Sequence, residues 1–104
     1  MISDERIEKA QHYLVDTDSS TADAFAYMKK LEDNKKTVLG KVFVQSAGTV
    51  ADRNAIAAVS PEYAEYLEEM ENAWADYRLL ENKRATERIV IDVYRTISAN
   101  QRNG

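Results

Sequence analysis

The chain has 104 residues, 44% apolar and 31% charged, with a net charge of −4, which suits one small helical domain and disfavours general affinity for nucleic acid. It contains no cysteine, so neither a disulfide framework nor a thiolate metal site can form, and a reducing, cytoplasmic setting is expected. No apolar run approaches the roughly 18 residues that cross a bilayer, and Asp4 and Glu5 close behind Met1 do not match the basic-then-apolar layout of a signal peptide, so a soluble protein without a membrane partner is expected.

Ser3 followed by Asp4 and Glu5 reads as an N-cap with acids in the first turn, and Ile7, Ala10, Gln11 and Leu14 then recur at helical spacing. A first helix is predicted over about 4–15. Asp16-Thr17-Asp18-Ser19-Ser20 reads as a polar turn whose last serine caps a second helix, with Asp23 in the capping-box position. That second helix is predicted over 20–46, where Ala24, Phe25, Met28, Leu31, Val38, Leu39, Val42 and Phe43 keep a three-four spacing, interrupted by Lys35 where the stripe would pass. Gly40 inside it reads as a tolerated glycine in preference to a close helix crossing.

Gly48 stops this helix, and Thr49 with Asp52 three positions on starts a short one over about 50–59. Ser60-Pro61-Glu62 is the strongest local signal: a serine N-cap, proline at the first helical position, and an acid at the positive end of the dipole. No glycine or proline follows until Gly104, while Tyr63, Leu67, Met70, Trp74, Tyr77 and Leu80 form a stripe that drifts to Ile89, Val90, Val93, Tyr94 and Ile97. A helix over 61–100 would be about 60 Å long. The expected architecture is therefore all-α, one domain over 1–104. A long, coiled-coil-like antiparallel hairpin carries a short helix at its apex, and the N-terminal helix covers the overhang of the last one.

Charge supports that pairing. Residues 62–76 carry six acids and no base, whereas 29–41 carry five lysines against two acids. The hairpin would set Lys35, Lys36 and Lys41 beside the acidic half, which fixes register more than stability.

Few constellations carry chemistry. His12 is the single histidine, with Glu8 one turn before it, and two such residues do not make a transition-metal site; a helix-surface histidine is the simpler reading. Neither a nucleophile elbow nor a phosphate-cradling glycine loop is present. Glu65, Glu68 and Glu69 resemble the Glu-x-x-Glu helix of all-α nucleotide pyrophosphatases similar to MazG. The matching Glu-x-x-Asp helix is missing, so a metal-dependent nucleotide hydrolase is kept as the alternative function. Towards the C-terminus Arg84, Arg88, Arg95 and Arg102 fall four and then seven apart, near one face, with Tyr94 close by. They form the candidate contact for a nucleic acid or a protein partner, although cations also suit a helix C-terminus. Trp74 with Tyr63, Tyr66 and Tyr77 reads as the aromatic core of the hairpin.

The arrangement Gly48-Thr49-Val50-Ala51-Asp52-Arg53, then Ser60-Pro61-Glu62-Tyr63, then Glu87-Arg88-Ile89, Val93-Tyr94-Arg95-Thr96 and Ala99-Asn100-Gln101-Arg102 resembles a group of small helical proteins encoded by tailed bacteriophages. The similarity covers about residues 25–102. It implies an accessory role near recombination, replication or host takeover, and carries over no catalytic residue. Together these readings predict a non-enzymatic binding protein with no cofactor, a dimer with a protein partner, and DNA as a further candidate partner.

Overall fold

The computed structural model describes residues 2–103. It is all-helical, in the order α1 (Asp4–Asp33), α2 (Lys35–Gln45), α3 (Val50–Ala58) and α4 (Pro61–Asn103), and no strand occurs among the described residues. None of these helices is long and apolar enough to cross a membrane.

Ser3 starts α1 as expected, its hydroxyl accepting from the Arg6 N–H at 3.1 Å. The turn expected at 16–20 is absent, because α1 runs through it without a break. Two features of the sequence explain this. Ile7, Ala10, Leu14, Thr17, Thr21, Ala24, Met28 and Leu31 alternate three and four apart, and all are buried or half-buried. The Thr17 and Thr21 hydroxyls also donate to the carbonyls of Tyr13 and Thr17, each at 2.6 Å, so both sit on the inner face with their polar groups satisfied inside the helix. Ser20 caps nothing; it is an exposed mid-helix residue.

The second correction concerns the expected helix over 20–46, which is divided at Asn34. There the backbone N–H reaches back three residues to Leu31 O at 3.0 Å, and the Tyr66 hydroxyl donates to the same carbonyl at 2.5 Å. A side chain from α4 thus takes up the carbonyl that the helix relinquishes. The single-residue break lets the stripe restart past Lys35, with Val42 buried on α2.

Gly48 adopts φ +117°, and Thr49 and Asp52 form the expected capping box at the start of α3. Ser60 accepts from the Tyr63 N–H at 3.2 Å and opens α4, which continues three residues past the expected position 100. On α4 the inward stripe is stricter than the one read from apolarity. It passes from Tyr63 through Tyr66, Met70, Ala73, Tyr77 and Leu80 to Arg84, Glu87, Ile91, Tyr94 and Ser98, every member buried or half-buried.

The packing divides into two compact units. In the first, the part of α1 up to Asp23 lies antiparallel to α4 from Tyr77 onward: Asp4 meets Tyr94, Arg6 meets Glu87, and Thr17 meets Arg84. This is the covering of the last helix expected of the N-terminal segment, although that segment is the front of α1 and not a separate helix. In the second unit, Ala24–Asp76, the pairs Tyr27 with Glu69 and Leu31 with Tyr66 run in the same antiparallel sense. Met28, Leu31, Val42, Ala57, Tyr66 and Ala73 form its buried core.

Candidate interaction surfaces

The seam of the first unit is polar where a coiled coil would be apolar. Arg84 is only 7% exposed and donates to the Leu14 carbonyl and the Thr17 hydroxyl, both at 2.7 Å, with Asp18 at 3.4 Å. One turn further on, Glu87 takes a bidentate pair from Arg6 at 2.6 and 2.9 Å, which keeps the Arg6 guanidinium pKa raised. No buried side-chain polar atom lacks a partner among the described residues.

This arrangement takes Arg84 out of the candidate contact row. It belongs to the inward stripe, whereas Arg88, Arg95 and Arg102 stay exposed and seven residues apart on α4. Tyr94 is half-buried, and its hydroxyl is directed at Asp4 at 3.1 Å. Apolarity alone hid the roles of Arg84 and Glu87, yet their spacing of seven from Tyr77 and Leu80 carried the signal.

In the second unit a cleft of about 410 Å³ is lined by Leu31, Val38, Lys41, Val42, Tyr66, Glu62, Glu65 and Glu69 among others. Lys41 thus reaches the acidic stretch. No salt bridge joins Lys35, Lys36 or Lys41 to it among the described residues, and the expected charge pairing reduces to proximity at Lys41. Tyr27 donates to Glu69 across α1 and α4, a bond that raises the tyrosine pKa. The triplet considered for magnesium is split: Glu65 lines this cleft, while Glu68 lines a separate groove with Ala64, Leu67, Met70, Glu71 and Trp74. No group of three carboxylate or imidazole ligands converges among the described residues. His12 is exposed, 3.8 Å from Glu8.

Of the expected aromatic core, Tyr66 is buried and its ring stacks on that of Tyr63 with centroids 5.9 Å apart. Trp74 retains 38% of its surface and Leu67 45%, so both belong to the groove wall and not to the core.

The apex formed by α2, α3 and their link carries several exposed apolar residues. Val44, Val50 and Val59 keep 71%, 65% and 83% of their surface, with Ile56 beside them in sequence. Between Val42 and Pro61 the only charged residues are Asp52 and Arg53. Both are engaged internally: Asp52 in the capping box, Arg53 through its Nε to the Phe43 carbonyl at 3.1 Å with its guanidinium 4.2 Å above the Phe43 ring.

No protein-family model, characterised protein or solved structure matches the chain.

Proposed function

We propose that this chain works by binding and not by catalysis, as a cytoplasmic, self-associating accessory protein of the phage type whose apex engages a protein partner. The observation that carries this reading is the neutral apolar apex, where three valines are exposed, Asp52 is held in the capping box and Arg53 folds back onto Phe43. Soluble proteins seldom leave such surface uncovered, and an amphipathic helical tip suits a groove in another protein. The layout of Gly48 to Arg53, Ser60 to Tyr63 and Ala99 to Arg102 supports the phage-type assignment. The division of Glu65 and Glu68 between two clefts weighs against the nucleotide-hydrolase alternative.

The test compares affinity capture from host cells by the wild type and by a Val50→Asp/Val59→Asp variant. One partner held by the wild type and lost from the variant, with helix content unchanged, supports the reading. Magnesium-dependent turnover of a nucleoside triphosphate by the purified chain would replace it with the hydrolase.

A further inference from the structure

In the first unit, two residues beyond each member of the inward stripe of α4 from Leu80 to Ser98, stand Asn82, Thr86, Ile89, Val93, Thr96 and Asn100. A step of two residues turns a helix by about 200°, so these six share the side turned away from α1. All are exposed, Ile89 by 62% and Val93 by 42%. None is charged, in a chain that is 31% charged. They also read the same in both directions: amide, threonine, aliphatic, aliphatic, threonine, amide, at spacings of four, three, four, three and four. The Thr86 hydroxyl donates to the Asn82 carbonyl at 3.1 Å and the Thr96 hydroxyl to the Asp92 carbonyl at 3.0 Å, so neither needs a partner outside its own helix.

We propose that two copies of the chain pair antiparallel along this uncharged face, about a two-fold axis at the level of Ile91. This rests on the reading of the chain as self-associating, and names the surface and the register. Asn82 then lies opposite Asn100 of the second copy, Thr86 opposite its Thr96, and Ile89 opposite its Val93, each contact occurring twice by symmetry. The two-way order selects the occupant, because an antiparallel pair of identical helices needs a face that reads alike from both ends and a different protein does not. The asparagines set the register. Sliding by one seven-residue repeat sets Asn82 against Val93 in one direction and Asn100 against Ile89 in the other, and an amide closed against an aliphatic group loses the hydrogen bonds that a second amide returns. A parallel pair also matches like with like, but it brings Arg78 beside Lys83 of the second copy at both edges and aligns the two helix dipoles. The antiparallel pair carries one repulsion, between the two copies of Asp92 at the exposed edge beside the axis, worth a few tenths of a kcal/mol. With far fewer residues a side than the 20–30 or so of a standard interface, association is expected to be micromolar or weaker.

Because the chain has no cysteine, single thiols report the alignment directly. Thr86→Cys and Thr96→Cys chains, treated with a mild thiol oxidant, should each stay uncross-linked alone and form a disulfide-linked pair when mixed. Either variant cross-linking strongly by itself means a parallel pair and overturns the proposal. In sedimentation equilibrium on the full chain, Ile89→Lys should weaken the dimer by about tenfold or more, since it sets a charge on the face twice, and Asp92→Asn should tighten it, with circular dichroism confirming unchanged helix content. The Val50→Asp/Val59→Asp chain should associate like the wild type. Loss of its association would move the self-contact to the apex and overturn the face. A wild type that stays monomeric at the highest accessible concentration overturns both the face and the self-association reading. A wild-type dimer that Ile89→Lys leaves unweakened, or whose mixed cysteine variants do not cross-link, overturns the face alone.

Discussion

Arg84 shows how a buried charge is made tolerable. Its guanidinium reaches a backbone carbonyl and a threonine hydroxyl, and only one weak contact goes to a carboxylate, that of largely exposed Asp18. The Thr17 hydroxyl keeps its own bond to the Tyr13 carbonyl without Arg84, and Asp18 is largely exposed. Removing the charge therefore orphans little, and Arg84→Met, which keeps the volume, should change the unfolding free energy by less than about 1 kcal/mol. Arg84→Ala opens a cavity in the seam and should cost about 2–3 kcal/mol. Urea titration followed by circular dichroism distinguishes the two; equal losses would mean that the hydrogen bonds, not the packing, hold the site. Tyr66 makes the complementary case in the second unit. Burial pushes its hydroxyl pKa up, and the negative charge of nearby Glu32 and Asp33 adds to the effect. A raised folded-state value means that the neutral hydroxyl is the one the fold prefers. Its stabilisation is complete below the ordinary tyrosine value of about 10 and is lost as pH rises through the folded value. Wild-type stability should thus fall on the alkaline side. Tyr66→Phe should lose about 1 kcal/mol at neutral pH and show a shallower alkaline decline.

Among elements, the ends of the helices were legible and two interior features were not. Ser3, the Thr49–Asp52 box and Ser60-Pro61 mark starts through side-chain chemistry that acts within four residues, so they can be read locally. The run 16–20 offers the same polar residue types, but here Thr17 faces inward and the serines face water, a distinction that depends on α4 lying alongside. The break at Asn34 likewise depends on a hydroxyl arriving from Tyr66, 35 residues away from Leu31. Stability measurements give these helical assignments opposite signs from a turn. Ser20→Ala, removing a poor helix former from an exposed mid-helix site, should add about 0.3–0.5 kcal/mol. Were Ser20 an N-cap, the same change would cost about 1 kcal/mol. Gly40→Ala should add about 0.5–1 kcal/mol, because a Cβ there meets nothing within 4 Å. Gly48, at φ +117° and with Asp52 3.1 Å from where an alanine methyl would stand, should lose stability on the same substitution.

For the whole molecule, the hairpin class followed from helix lengths and the apex between Gly48 and Ser60, whereas the separation into two units did not. The periodic stripe is continuous, and only the residue types along it change, from Met28, Tyr66 and Ala73 in the second unit to Thr17, Arg84 and Glu87 in the first. The arginine row was legible as spacing but not as orientation, since a helix of period 3.6 with a seven-residue stripe assigns Arg84 inward and Arg88, Arg95 and Arg102 outward only once the stripe is known. That orientation sets the expectation for nucleic-acid binding in physical terms. Three outward arginines neutralise at most three phosphates, which on duplex DNA gives a salt slope of about −2.7. They sit beside Asp92 on a chain of net charge −4, so the field that should draw in a polyanion is weak. Mobility shifts with single- and double-stranded DNA at low salt should therefore show no complex. A complex that dissolves as salt rises, and that Arg88→Ala/Arg95→Ala weakens without loss of helix, would instead make DNA the partner.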